Sequence, residues 1–137
     1  MDYTVNYLAV VVAAVVGFII GFLWHGPLFG KTWLRLSGIS EKQAREAKME
    51  DMWKQMLIAF ICQLIMAYVI AMFVSLIGIV DVVGAVMFAF WAWLGFLVTT
   101  HINGVLWEKK SVNLFYFSIV YLLVLLVVQT IIIAWWQ

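Results

Sequence analysis

Four long apolar runs that contain no Asp, Glu, Lys or Arg occupy most of this 137-residue chain. They cover residues 7–24, 55–77, 84–106 and 114–136. As a helix with a rise of about 1.5 Å per residue, each run is long enough to cross about 30 Å of hydrocarbon. Backbone groups in lipid must be hydrogen-bonded within the protein, so the runs predict an all-α integral membrane four-helix bundle that forms a single domain.

The basic residues predict how this bundle is oriented. Six of the eight lie between the first two runs and two lie between the last two, at Lys31, Arg35, Lys42, Arg45, Lys48, Lys54, Lys109 and Lys110. Segments rich in Lys and Arg stay on the cytoplasmic side of a membrane. We therefore expect both basic loops to be cytoplasmic and both termini to lie outside.

The composition narrows the class of partner. Apolar residues make up 67% of the chain and charged residues 11%, so the lipid bilayer is the expected surroundings. The formal net charge is only +1, and acids and bases alternate between the first two runs, which argues against a nucleic-acid partner. The single cysteine, Cys62, lies within a run and is expected to be a packed apolar residue.

The loop between the first two runs has helical signals of its own. Pro27 suits a first helical position, and Phe29, Trp33 and Leu36 then recur on one side up to a stop at Gly38, which predicts an interfacial amphipathic helix.

A second helix is predicted to begin at Ser40, which forms a Ser-x-x-Gln capping box with Gln43. This helix is charged and should run on as a cytoplasmic extension of the second span. Asp81 is positioned to cap the third span.

Small residues recur along the first three spans and predict helix packing faces. The residues concerned in the first and third spans are Ala13, Gly17, Gly21, Ala89, Ala92 and Gly95. Such residues let helix backbones approach closely in lipid. We expect the first three spans to form the tight part of the bundle and the fourth to face lipid more. The surplus of packing faces predicts a homo-oligomer.

Polar side chains collect in the half of the membrane nearer the basic loops. The predicted inner-half polar site consists of Gln63, Thr99, Thr100, His101, Asn103, Ser118 and Tyr121. Counted by helical rise from the cytoplasmic interface, His101 lies about 9 Å deep and Gln63 about 15 Å deep. Such groups either tie helices together through hydrogen bonds or line a hydrated vestibule.

His101 is the ionisable residue of this group, and three roles stay open for it: a structural hydrogen bond, proton or ligand handling, and metal binding. The structural bond is preferred, and metal binding ranks last because no second ligand lies nearby in the sequence. No nucleophile elbow or metal-binding helix motif is present. We therefore predict no catalytic residue, no metal, no cofactor and no enzymatic activity.

The stretch GFLWHGPLFGKTW at residues 21–33, with Asn6 before it and Gly38 after it, resembles a bacterial and archaeal family of four-span membrane proteins. That family is catalogued as domain of unknown function seventeen sixty-one. The resemblance extends to residues 93–96 and Asn103; position 25, often Tyr in the family pattern, is His25 here. It implies a multi-pass protein of the bacterial or archaeal plasma membrane and supplies no reaction or substrate.

Three hypotheses for function remain open. The polar cluster and the lack of catalytic groups favour an oligomeric channel or carrier for a small solute. A non-catalytic membrane scaffold or assembly partner, which would bind a cytoplasmic protein, is the alternative, and a lipid-modifying or redox accessory enzyme that uses His101 comes third.

Overall fold

The described part of the chain consists of helices joined by short turns and loops, with a non-helical segment before the first helix. The computed structural model describes residues 2–40, 42–43 and 49–136, and the side chains of residues 49–51 lie outside this description. The helices are α1 (Tyr7–Leu28), α2 (Gly30–Ser37), α3 (Met49–Ile77), α4 (Val82–Leu106) and α5 (Val112–Trp135). α1, α4, α5 and residues Met52–Ile77 of α3 are long and apolar enough to span a membrane, which confirms the predicted all-α four-span fold.

Two of the spans contain a π-helical segment, in which the turn is wider than in an α-helix. α1 changes from α to π at Trp24–Leu28, and α4 changes at Trp93–Val98 before it returns to α-helix at Thr99–Leu106. Such segments weaken the regular backbone hydrogen bonds and occur often at functional sites.

The prediction that Pro27 begins the interfacial helix is wrong, because Pro27 lies inside the π-helical end of α1. A proline has no N–H to donate and its ring crowds the preceding turn, and the wider π turn accommodates both effects. The short amphipathic helix itself begins at Gly30. It ends as expected at Gly38, whose φ of 75° is left-handed.

The helix caps predicted from local sequence are present. Asp81 Oδ1 accepts a hydrogen bond from the Gly84 N–H at 2.8 Å. In the capping box, the Gln43 N–H donates to Ser40 Oγ at 3.1 Å and the Ser40 N–H donates to Gln43 Oε1 at 3.0 Å. The predicted extension passes through residues 41 and 44–48, which lie outside the described residues, and α3 is continuous from Met49 onwards.

The helices are arranged around α5. It packs against α1, α3 and α4, whereas α4 packs chiefly against α5. Within the most apolar part of each span, 39% of α5 is buried but only 11% of α4. The prediction that the fourth span faces lipid more than the first three is therefore wrong. Large side chains such as Leu125 and Ile133 fill the space between the other helices. By contrast, α4 buries Ala85 and Ala89 and leaves large side chains such as Trp91 exposed.

Both ends of the chain meet at one end of the bundle, here called the terminal end. Asn6 Nδ2 donates to the Trp136 carbonyl at 2.7 Å, and the Thr4 N–H donates to Ser75 Oγ at 2.9 Å. The opposite end, here called the basic end, contains α2, the start of α3 and the loop that carries Lys109 and Lys110.

Candidate functional site

Two glutamine side chains from different spans meet in the interior. Gln129 on α5 is completely buried, and its Nε2 donates to Gln63 Oε1 on α3 at 2.8 Å and to the Ala13 carbonyl on α1 at 3.1 Å. One amide therefore joins three helices. Gln129 Oε1 is buried without a hydrogen-bond partner among the described residues, which leaves an acceptor next to this junction.

The glycines of α1 make room for these polar side chains. A Cβ built on Gly17 would collide with both Gln129 Nε2 and Gln63 Oε1, and one on Gly21 would lie 2.8 Å from the Tyr121 hydroxyl. The small-residue face of α1 thus accommodates amide and phenol groups as well as close helix packing.

A cleft between α1 and α3 leads from the basic end to this junction. Its volume is about 350 Å³. We call it the Gln63 cleft; it is lined by Gly17, Phe18, Gly21, Phe22, His25, Met52, Gln55, Met56, Ala59, Gln63 and Tyr121. Gly17 and Gln63 lie at its inner end, and Met52 and Gln55 lie at its outer end. Polar side chains thus recur along a cleft whose other lining residues are apolar.

His25 is fixed on the wall of this cleft. Its Nδ1 donates to the Gly21 carbonyl at 2.9 Å, within the turn that leads into the π-helical segment. The ring also makes edge contacts with Tyr121 at 4.9 Å and with Trp33 at 5.4 Å between ring centroids. With Nδ1 as the donor, the neutral ring keeps Nε2 as an acceptor.

The structure separates the predicted inner-half polar residues into different places. Gln63 and Tyr121 line the Gln63 cleft. Thr100, His101 and Ser118 line a second cleft of about 280 Å³ between α4 and α5, which also contains Glu108 and Lys110.

Thr99 and Asn103, the two remaining residues of the predicted site, are exposed and belong to neither cleft. The seven predicted residues are therefore divided between two clefts and the exposed surface.

Three consecutive side chains of α4 bond to carbonyls of its π-helical segment. Thr99 Oγ1 donates to Gly95, Thr100 Oγ1 to Phe96 at 2.6 Å, and His101 Nδ1 to Leu97 at 2.8 Å. These bonds compensate carbonyls that a widened turn leaves poorly satisfied. His101 thus makes a hydrogen bond within its own helix and also lines the second cleft.

The residues predicted to pack helices differ in their surroundings. Ala13, Gly17 and Ala89 are buried, whereas Gly21 and Ala92 are half-buried. Gly95 is exposed, and a Cβ built on it meets no atom within 4 Å, so it packs against none of the other described helices. Cys62 is exposed as well, and the expectation that it is packed is wrong.

Sequence reasoning missed Gln129 and Thr130, which are both completely buried. They lie towards the terminal end of α5, outside the half of the membrane in which polar residues were sought. The available signal was a glutamine deep within each of two spans, Gln63 and Gln129, since polar side chains in lipid need partners.

The Gln63 cleft presents neutral hydrogen-bonding groups. Gln55, Gln63 and Tyr121 can donate or accept, and His25 Nε2 can accept. No Asp, Glu, Lys or Arg among the described side chains lines it. Among the residues that the structure describes, no three His, Cys, Asp or Glu side chains are grouped to hold a metal ion. The cleft therefore offers several side chains that can form hydrogen bonds with a small polar molecule.

Four apolar helices of spanning length define the chain as a multi-pass membrane protein. The family described as "Protein of unknown function (DUF1761)" matches residues 8–134, and the chain belongs to this family, as the resemblance predicted. No curated protein and no solved structure matches the chain.

Proposed function

We propose that the protein is an oligomeric carrier or channel for a small neutral solute, and that the Gln63 cleft is where the solute binds. The observation that carries the proposal is the passage from the basic end to the Gln63–Gln129 junction, with an unpartnered amide oxygen beside its inner end. The proposal assigns no covalent chemistry to the protein.

The passage has the properties that a solute pathway needs. It is lined by polar groups only at intervals, so a solute can exchange one hydrogen bond for the next without being held tightly. Beyond Gly17 and Gln63, α1 and α3 pack closely, and Ala13 and Ala67 are completely buried there. Complete passage therefore requires α1 and α3 to move apart in this region.

Water accessibility tests the cleft without knowledge of the substrate. In a Cys62→Ala background, Ala59→Cys places a thiol in the cleft, and Ile58→Cys, one residue earlier and 62% exposed, places one on the outer face of α3 at nearly the same depth. We expect a membrane-impermeant maleimide to label Ala59→Cys, but not Ile58→Cys, in vesicles with the basic end outward.

Protection of both thiols would contradict a hydrated cleft and would favour the scaffold or assembly-partner hypothesis. Thr99→Cys is a second control, because Thr99 is exposed and lies outside both clefts. We expect it to be protected by lipid.

Transport is tested with solutes of the proposed class. Proteoliposomes are exposed to a glycerol or urea gradient, and their volume is followed by stopped-flow light scattering. We expect faster solute entry than in protein-free vesicles, loss of this excess in Ala59→Trp, which fills the cleft, and its retention in Ile58→Trp. Equal rates in all four preparations would contradict transport of these solutes.

We propose that copies of the chain associate through the outer face of α4. Gly95 is exposed on this span, which packs least against the rest of the chain. A small residue there allows close approach of another helix. Gly95→Leu should shift the oligomers seen by crosslinking in mild detergent towards monomer, while the far-UV spectrum stays unchanged. Only monomer in the unaltered protein would contradict the proposal.

A further inference from the structure

A groove distinct from both clefts lies at the basic end, between the end of α1, the amphipathic helix α2 and the start of α5. Its volume is about 480 Å³, within the range of about 300–1,000 Å³ that ligand sites occupy. It is separate from the Gln63 cleft and independent of the function proposed above. We call it the α2 groove.

The floor of the α2 groove is aromatic and apolar. Trp24 contacts Phe29 at 4.7 Å and Phe117 at 5.7 Å between ring centroids. Val120, almost one turn further along α5, continues this surface into the spanning part of the helix. The floor therefore extends from the interface into the apolar layer, as an acyl chain does.

The rim of the groove carries four hydrogen-bond donors. These are the Arg35 guanidinium, the Thr32 hydroxyl, the Asn113 amide and the Tyr116 hydroxyl. Within the described part of the chain, none of these side chains has a hydrogen-bond acceptor or an acidic partner. A ligand that supplies several acceptor oxygens and a negative charge would satisfy them together.

We propose that the α2 groove binds an anionic glycerophospholipid, with its phosphate at Arg35 and the upper part of one acyl chain on the Trp24–Val120 floor. A guanidinium forms charge-assisted hydrogen bonds with phosphate, and a basic interfacial helix attracts anionic lipid. The aromatic floor distinguishes this site from a general basic surface because it fits the apolar chain as well as the headgroup.

Competition between two lipids tests the proposal. Delipidated protein in detergent is mixed with equal amounts of phosphatidylglycerol and phosphatidylcholine with identical acyl chains, and retained lipid is measured by native mass spectrometry. We expect phosphatidylglycerol to be retained about tenfold over phosphatidylcholine, since one charge-assisted contact supplies a preference of that order.

Lys31→Gln is the matched control for Arg35→Gln. Both residues are exposed on α2 and both changes remove one positive charge, but Lys31 does not line the groove. Arg35→Gln should abolish the preference and Lys31→Gln should retain it. Equal loss in both variants, or no preference in the unaltered protein, would overturn the proposal.

The same native mass spectrometry measurement tests the apolar floor. Val120→Trp should reduce retention of phosphatidylglycerol, whereas Val124→Trp, on the same helix outside the groove, should not. Equal retention in both variants would contradict binding of the acyl chain. Displacement of phosphatidylglycerol by millimolar inorganic phosphate would also overturn the proposal, because it would indicate a site for a free anion.

Discussion

At Gly17, the absence of a side chain creates the space in which the amides of Gln63 and Gln129 meet. A methyl group there would collide with both amides, and neither can withdraw without losing a hydrogen bond to its neighbour. Gly17 lies within a regular helix, so its backbone conformation does not require a glycine. The requirement comes from the two amides that occupy the space beside it.

Gly17→Ala should lower the free energy of unfolding by about 1–3 kcal/mol through overpacking. Gly26→Ala, also on α1 but with no neighbour within 4 Å, should change it by less than about 0.5 kcal/mol. Unfolding by SDS in mixed micelles, followed by far-UV circular dichroism, measures both. Equal losses would indicate that the space beside Gly17 is not occupied as described.

A double-mutant cycle on Gln63→Leu and Gln129→Leu measures the bond between the two amides. Interhelical hydrogen bonds in membrane proteins contribute about 0.6 kcal/mol on average and up to about 1.7 kcal/mol. We expect a coupling free energy in this range in the same unfolding assay. A coupling near zero would mean that Gln129 depends mainly on its bond to the Ala13 carbonyl.

The sequence predicted the helix caps but not this pair of glutamines, and the difference is one of range. Asp81 and Ser40 act on atoms within three residues, so a local pattern specifies them. Gln63 lies 14 residues before the end of α3 at Ile77, whereas Gln129 lies 6 before the end of α5 at Trp135. Helical rise places them about 12 Å apart in depth, and only the mutual stagger of the helices brings them together.

At the scale of the element, α5 joins the parts of the bundle and α4 depends on it. Trp93, at the start of the π-helical segment of α4, donates its Nε1–H to the Ile119 carbonyl of α5 at 2.7 Å. This bond lies beside the turn in which the backbone of α4 is least regular. It therefore holds the π-helical part of the least buried span against the central helix.

Trp93→Phe should lower the free energy of unfolding by about 0.6–1.7 kcal/mol, because it removes this bond and keeps an aromatic ring in place. Trp91→Phe is the control, since Trp91 is on the same helix and is 60% exposed. It should change stability by less than about 0.5 kcal/mol. The two unfolding midpoints in mixed micelles decide between these expectations, and equal shifts would argue against a role for the Trp93 bond.

The spatial arrangement of the helices could not be predicted from small-residue patterns. Ala and Gly at every fourth position indicate which face of a helix can pack closely, but they do not indicate which helix is surrounded. The spans with such patterns lie around α5, whose own larger side chains occupy the centre. In the same way, depth alone predicted a single cluster of polar residues. In the structure these residues line two clefts, because α5 separates α3 from the polar part of α4.

At the scale of the whole molecule, the four spans and the distribution of basic residues lead to a prediction about orientation. An even number of spans places both termini on one side, and basic loops are retained on the cytoplasmic side. A fluorescent protein that matures only in the cytoplasm should stay dark when fused to the C-terminus and should fluoresce when inserted between Lys109 and Lys110.

Replacement of Lys109 and Lys110 by Gln tests what determines this orientation. Six basic residues remain between the first two spans, so the orientation should be unchanged. Fluorescence from the C-terminal fusion in the unaltered chain would reverse the assignment of sides.

The bond from Asn6 to the Trp136 carbonyl places the two ends of the bundle's chain next to each other, so that its path is almost a closed ring. A short linker would join its two ends without displacing any span, as in many proteins whose termini are neighbours. If the ring were then opened at the exposed loop around Lys109, both new ends would emerge at the basic end. A circularly permuted bundle of this kind would present its ends, and any tag fused to them, on the opposite face of the membrane.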